Sequence, residues 1–190
     1  MVEKSLEYAL IKVFENIGNN YKLPIGEHIT SVFDLKSKIR NPYFGQQPKN
    51  VKFMFGTQKE LNIWIKETKD KYPVVWLVYP LKKTVTLDNS RSETYKKVRL
   101  IFAINNTVDK IVQTRVQTTR VVLQNIVNVF KIKMKQGLLT NFIKISKDND
   151  CSEEFYPNYS ANEQKDSGSI DIWDAIVFDC EIILIPDCIK

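Results

Sequence analysis

A long alternating run near the end of the chain constrains the fold more than any other segment. Between Ile170 and Ile185 every second residue is apolar, interrupted only by Asp174, and most of the intervening residues are apolar as well. Because successive side chains of a strand point to opposite faces, this pattern predicts one unusually long β-strand. The chain therefore contains a sheet, and other segments must cover it.

A second block of the sequence predicts a β-hairpin. Residues 74–79 are apolar on both faces, which is typical of a central strand, and residues 84–87 extend this strand after a break at Pro80. A polar tip at 88–92 follows, and from residue 95 to 105 apolar residues again alternate with others. The sequence therefore predicts a long hairpin that ends at Asn105.

Three segments have the periodicity of amphipathic helices. Residues 3–18 carry an apolar stripe, residues 58–70 follow a capping box formed by Thr57 and Glu60, and residues 107–136 end before Gly137. We therefore predict one α+β domain over residues 1–190, with a mostly antiparallel sheet and a long hairpin packed against two or three helices. Residues 19–56 and 147–169 are rich in loop-forming residues and are predicted to be insertion-like loops.

Charge is divided unevenly along the chain. Residues 81–135 hold 12 Lys/Arg against 3 Asp/Glu, a net of +9, whereas residues 148–190 hold 2 against 11, a net of −9. Two interpretations stay open at this point: both segments are solvated surface, or the positive surface of one copy meets the negative surface of its neighbour.

No stretch approaches the ~20 apolar residues that span a bilayer, so no membrane contact is expected.

The sequence offers few groups for catalysis. His28 is the only histidine, the three cysteines lack metal-ligand spacing and suit a reducing cytosol, and no nucleotide-binding or hydrolase motif is present. Asp171, Asp174, Asp179 and Glu181 are the best acidic group, and a metal-dependent nuclease built on the last three is the least favoured interpretation. We therefore predict no enzymatic activity, no catalytic or metal-binding residue and no cofactor.

The order of these elements resembles the tail-terminator and head–tail connector proteins of tailed bacteriophages. The matching pieces are the helix at 3–18, the hairpin at 74–105, the helix near 107–136 and the closing strand at 172–184. The resemblance implies a tail-terminator-like fold and a ring of identical subunits that joins the phage head and tail around the DNA channel. It also implies neighbouring portal, connector or tail proteins, and a place in the neck or tail of a virion assembled in the host cytoplasm.

Candidate interface residues lie on and around the hairpin. They are basic residues that can contact either a neighbouring subunit or the DNA in the channel, and contact with DNA would be without sequence specificity. The candidates are Lys82, Lys83, Arg91, Lys96, Lys97 and Arg99. The alternative interpretation is a non-enzymatic nucleic-acid-binding protein that uses the same basic hairpin and the helix after it.

Overall fold

The computed structural model describes residues 5–20, 51–69, 71–86, 92–105, 116, 119–136, 143–146, 151–159 and 173–185. Within them the elements in chain order are α1 (Leu6–Asn20), β1 (Lys52–Gly56), α2 (Gln58–Glu67), β2 (Val74–Val78), β3 (Lys82–Thr86), β4 (Ser92–Asn105), α3 (Thr119–Gln136), β5 (Ile143–Ile145), β6 (Ser152–Tyr159) and β7 (Trp173–Leu184). This is an α+β fold in which seven described strands form one mostly antiparallel sheet, as predicted. None of the described helices is long and apolar enough to cross a membrane.

The antiparallel pair of β4 and β7 forms the centre of the sheet, with Glu93 opposite Leu184 at one end and Asn105 opposite Trp173 at the other. On the outer side of β4, β3 pairs with its first half and β2 with its second half. On the outer side of β7, β6 pairs with its first half and β5 with its last residues. Strand β1 extends the sheet beyond β2 and is parallel to it.

One face of the sheet, called here the first face, is covered by α1 and α3. The alternating residues of β4 and β7 that we predicted to share a face, such as Phe102 and Phe178, are buried there. They meet Phe14 of α1 and Phe130 of α3, whose rings stack on each other with centroids 5.3 Å apart. The apolar stripes predicted for both helices therefore form the main core, because each stripe covers the same sheet face.

The second face is covered over only part of its area. Helix α2 contributes Leu61 and Ile65 to a smaller apolar cluster with Trp76 and Trp173. The Trp173 Nε1 donates a hydrogen bond to the Tyr72 hydroxyl at 2.5 Å, so the polar atom of this buried ring is satisfied. The tryptophans thus serve in packing, and the burial of β2 on both faces is confirmed.

The junction between β1 and α2 explains how the chain turns onto the second face. The backbone N–H of Thr57 donates to Glu60 Oε2 at 2.7 Å, which confirms the predicted capping box. Gly56 has a φ of +133°, and a Cβ there would lie 2.6 Å from Glu60 Oε2. Glycine is therefore required at this turn, where its carbonyl also accepts the Trp76 Nε1–H at 3.0 Å.

Two predicted loops contain regular structure, so these predictions were wrong in part. The segment 19–56 includes the last residues of α1 and all of β1, and the segment 147–169 includes β6. Strand β1 has only five residues with apolar side chains on both faces, and β6 is polar and contains Pro157. Both strands lie at an edge of the sheet, where strands are often short, charged or interrupted by proline, so neither has a strong strand signal in the sequence. Residues 21–50, 147–150 and 160–169 lie outside the described residues.

The aromatic core gives a prediction for stability. Phe130→Ala removes a ring that is fully buried against Phe14, Phe102 and Phe178, so it should lower the free energy of unfolding by about 3–5 kcal/mol. Ile132→Ala, two residues along the same helix at a side chain that is 45% exposed, should change it by less than about 0.5 kcal/mol. Urea unfolding followed by circular dichroism measures both values, and equal losses would contradict the assigned core.

Candidate interaction surface on the hairpin

Half of the second face carries charged side chains and is left uncovered by α2. Alternation along β4 and β7 places Arg99 and Asp179 just beyond the apolar cluster, and Lys82, Lys96 and Lys97 continue the surface towards the hairpin tip. We call this surface the open face and define it by these residues together with Glu181. The three lysines and Arg99 are exposed, whereas Asp179 and Glu181 are half-buried.

Two lysines of the open face lie directly opposite each other. Lys82 of β3 and Lys96 of β4 are cross-strand partners, and both side chains are exposed. Within the described residues neither makes an ion pair or a side-chain hydrogen bond. Like charges at directly opposite positions destabilise a pair of strands. The hairpin therefore keeps a repulsive contact that an anionic partner would relieve.

A β-bulge brings a third lysine to the same place. Tyr95 pairs with Ile182 and Val98 with Cys180, so Lys96 and Lys97 together oppose the single residue Glu181. Lys97 adopts the left-handed conformation with φ of 55°, which is unfavourable for a residue with a side chain by roughly 1–3 kcal/mol. The bulge exposes two consecutive lysines where regular alternation would turn one of them to the opposite face.

Arg99 differs from these lysines because its charge is paired. Its Nε and Nη2 donate to the two carboxylate oxygens of Asp179, each at 2.8 Å. These hydrogen bonds raise the pKa of the Arg99 guanidinium above its usual value. Such a two-point contact fixes both side chains in the plane of the fork. Arg99 was predicted as a contact for DNA or a neighbour, and the structure instead pairs it with an acid of its own chain.

Helix α3 makes a second internal contact between the basic and acidic segments. Glu153 of β6 binds Lys131 Nζ and accepts a hydrogen bond from Gln124 Nε2 at 2.7 Å. Beside it, the Arg120 guanidinium lies over the ring of Phe155. The predicted division of charge is therefore partly neutralised within one chain, because the +9 and −9 segments are neighbours in the fold. Only the charges left without an internal partner remain for contacts between copies.

Lys83 lies on the first face, away from the other candidates. Its Nζ is 3.2 Å from Glu93 Oε2, and the Tyr95 hydroxyl donates to the same oxygen at 2.8 Å. Glu93 is buried, and burial together with this hydrogen bond raises the pKa of the Tyr95 phenol well above its usual value. Lys83 thus helps to compensate a buried carboxylate. Arg91, the remaining candidate, lies outside the described residues.

A cavity of about 450 Å³ opens beside the bulge. It is lined by the residues at the break between β2 and β3 and by the neighbouring charged side chains, namely Val78, Tyr79, Pro80, Lys97, Arg99 and Asp179. One wall is therefore apolar and the other is charged. The cavity can accept a polar group of a partner next to Lys97. Alternation of apolar residues along the strands does not predict such a cavity.

The acidic group considered for a nuclease is divided between the two faces of the sheet. Asp174 is fully buried on the first face, where its carboxylate accepts a hydrogen bond from Thr119 Oγ1 at 2.5 Å. Asp179 and Glu181 lie on the second face, and Asp179 holds Arg99. The three carboxylates do not form one site, and no group of three potential metal ligands occurs among the described residues.

The conformation of Lys97 gives a testable prediction. Lys97→Gly should raise the free energy of unfolding, because relief of about 1–3 kcal/mol of left-handed strain exceeds the roughly 0.5–1 kcal/mol by which glycine favours the unfolded chain. Lys96→Gly is the matched control, since its φ is negative, and it should lose about 0.5–1 kcal/mol. Both values come from urea unfolding. Equal destabilisation by the two variants would show that the bulge carries no strain at Lys97.

Comparison with known proteins identifies no relative of this chain. No family model, no curated protein and no solved structure matches the chain. The function is therefore inferred below from the contacts and charges of the described residues and from the order of the elements.

Proposed function

We propose that this protein is a structural subunit without enzymatic activity, part of a ring that joins the head and tail of a tailed bacteriophage around the DNA channel. The observation that carries the proposal is the cluster of Lys82, Lys96 and Lys97 on the open face of the hairpin. The three charges are exposed and make no ion pair with any described residue. Neighbouring portal, connector or tail proteins and the packaged DNA are the partners that such a position implies.

The energetics of this cluster favour an anionic partner. Both the opposed pair Lys82–Lys96 and the left-handed Lys97 lower the stability of the isolated chain. A phosphate backbone or an acidic protein surface would supply the missing negative charge. Contacts of this kind carry no sequence information and weaken as salt concentration rises, which suits a protein that holds DNA of any sequence in a channel.

The order of the elements gives further support. The helix α1, the hairpin β3–β4, the helix α3 and the closing strand β7 follow one another as in the tail-terminator and connector proteins that the sequence resembles. The unit β1–α2 and the strand β6 are additional to this pattern. They extend the sheet on both sides of the central pair.

A second candidate function is non-enzymatic binding of nucleic acid by a single copy. The observation that favours it is Tyr156, which is 39% exposed and lies on the same face of the sheet as the lysines. Unpaired bases can stack on an exposed aromatic ring of a face that also carries cations. This candidate needs no ring, and the oligomeric state therefore separates the two proposals.

The first experiment measures native mass by light scattering over a range of protein and salt concentrations, with negative-stain imaging of any large species. The ring proposal predicts closed particles of uniform size, because head-to-tail contacts that close give a fixed copy number. A monomer that retains single-stranded nucleic acid in a salt-dependent way would instead support the second candidate. A monomer that binds no nucleic acid would contradict both.

The lysine surface is tested separately with Lys96→Gln/Lys97→Gln. Loss of two phosphate contacts should make the dependence of log K on log salt less steep by about 1.8 for duplex DNA. Lys59→Gln/Lys66→Gln is the matched control, because both of these lysines are exposed on α2. The control should keep the slope of the wild type. An unchanged slope in the first variant would show that DNA does not contact the open face.

A further inference from the structure

Two of the edge strands, β3 and β6, lie on opposite sides of the central pair. Strand β3 pairs only with β4, and all five of its residues are exposed. Strand β6 pairs only with β7, on the far side of the central pair, and it is mostly exposed. Among the described residues no other strand covers either outer edge. Unpaired backbone N–H and C=O groups at such an edge are a template for another strand.

The two edges have opposite charge. Strand β3 contains Lys82 and Lys83 and no acid, whereas β6 contains Glu153 and Glu154 and no base. The strand register also fixes the faces of these residues. Lys82 and Glu154 point to the second face, since Glu154 pairs with Val177 of the second-face cluster, and Lys83 and Glu153 point to the first face.

The directions of the strands fit a shared sheet. Strand β3 is antiparallel to β4, β4 to β7 and β7 to β6, so β3 and β6 run in opposite directions. If the sheet of one copy continues into the sheet of the next, β3 meets β6 as an antiparallel pair. In an antiparallel pair, residue numbers rise along one strand while they fall along the other. Lys82 opposite Glu154 therefore places Lys83 opposite Glu153 in the same register.

We propose that β3 of one copy pairs antiparallel with β6 of a second copy, in the register that sets Lys82 against Glu154. The partner is thus another copy of this chain, and the inference rests on the proposed function, of which it specifies the subunit contact. The second-face pair is the main electrostatic contact. On the first face, Lys83 and Glu153 already have internal partners in Glu93 and Lys131.

Two structural details limit the contact and suit it to a ring. The regular part of β6 ends at Tyr156, because the pairing with β7 shifts between Tyr156 and Tyr159 and Asn158 has a φ of 59°. The contact joins different edges, and heterologous contacts of this kind close into rings or continue as filaments. Strand β3 lies beside the start of β4, and β6 lies level with its later part. The shared sheet is therefore staggered, as strands are in a sheet that closes on itself.

The pairing also accounts for the repulsion described above. Lys82 lies between Lys96 on one side and the open edge on the other. Glu154 of the next copy would neutralise Lys82 and leave Lys96 and Lys97 for an anionic partner other than the neighbouring subunit. Lys82 and the pair Lys96–Lys97 thus have different roles, which can be separated by mutation.

A charge exchange tests the contact. Lys82→Glu should reduce association between copies by about tenfold or more, because it sets like charges opposite each other. Within its own chain the same substitution places opposite charges on β3 and β4 and should raise the melting temperature. A variant that merely misfolds would show the reverse. Glu154→Lys should also weaken association, and Lys82→Glu/Glu154→Lys should restore it, whereas Lys59→Glu on α2 should have no effect.

A covalent test fixes the register. In the proposed pairing Thr84 lies opposite Ser152, with their Cβ atoms about 4.5–5.5 Å apart. Thr84→Cys/Ser152→Cys should therefore give disulfide-linked ladders of two or more copies under mild oxidation. Thr86→Cys/Ser152→Cys is the control, since Thr86 lies two residues along β3 from Thr84, the residue opposite Ser152. The single-cysteine variants report any linkage through the natural cysteines.

The outcomes distinguish this inference from the proposed function. Rings that form normally in Lys82→Glu and give no ladder with the Thr84→Cys/Ser152→Cys pair would overturn the strand pairing and leave the ring proposal intact. A ladder of equal strength in the Thr86→Cys control would also overturn the register. A wild-type chain that stays monomeric at the highest concentration it tolerates, without specific linkage, would remove both.

Discussion

The antiparallel pairing of β4 and β7 is the interaction on which the rest of the structure depends. Both strands are long, and their residues from 100 to 104 and from 173 to 178 are buried on both faces. Each remaining strand pairs with one of them or, in the case of β1, with a strand that does. The three described helices pack on the two faces of the same pair. Loss of this contact would therefore leave neither a sheet to extend nor an apolar face to cover.

The same pairing determines which charges stay exposed. It brings the basic middle of the chain against the acidic end, and Arg99 and Asp179 meet across it as a two-point ion pair. Lys131 and Glu153 join the helix layer to the outer strand in the same way. Arg99 is thus compensated across the β4–β7 pairing. Lys96 and Lys97 lie opposite Glu181, and Lys82 lies on the outer strand, but none of these three lysines makes an ion pair among the described residues. The candidate surface consists of the charges that have no partner within the described residues.

The elements with strong periodicity could be predicted from the sequence, and the edge strands β1 and β6 could not. Strands β2, β4 and β7 and the apolar stripes of the helices follow directly from the spacing of buried residues. Strand β6 was not predicted, because its polar residues and Pro157 are compatible both with an edge strand and with a loop. Asp174 interrupts an apolar face in the sequence, and only the fold brings Thr119 to its carboxylate.

For the candidate site, residue type could be predicted but partners could not. Five of the six basic candidates lie among the described residues, and four of them, the three lysines and Arg99, lie on the open face. The pairing of Arg99 depends on the register of two strands that are 80 residues apart in sequence, which composition does not encode. The sequence does indicate the bulge, because the apolar residues Tyr95 and Val98 lie on the same face but are three positions apart. Strict alternation would separate two residues of one face by an even number of positions.

The two open edges bear on which symmetries the protein can adopt. Two copies of β3 brought together would oppose lysine with lysine, and two copies of β6 would oppose glutamate with glutamate. Two-fold dimers formed through either of these two edges are therefore disfavoured by like charge in the registers that bring those residues together. Only the unlike edges attract each other, so the molecule has a polarity around the sheet. In the proposed pairing, copies add in one rotational sense, and a closed circle leaves neither of these two edges unpaired.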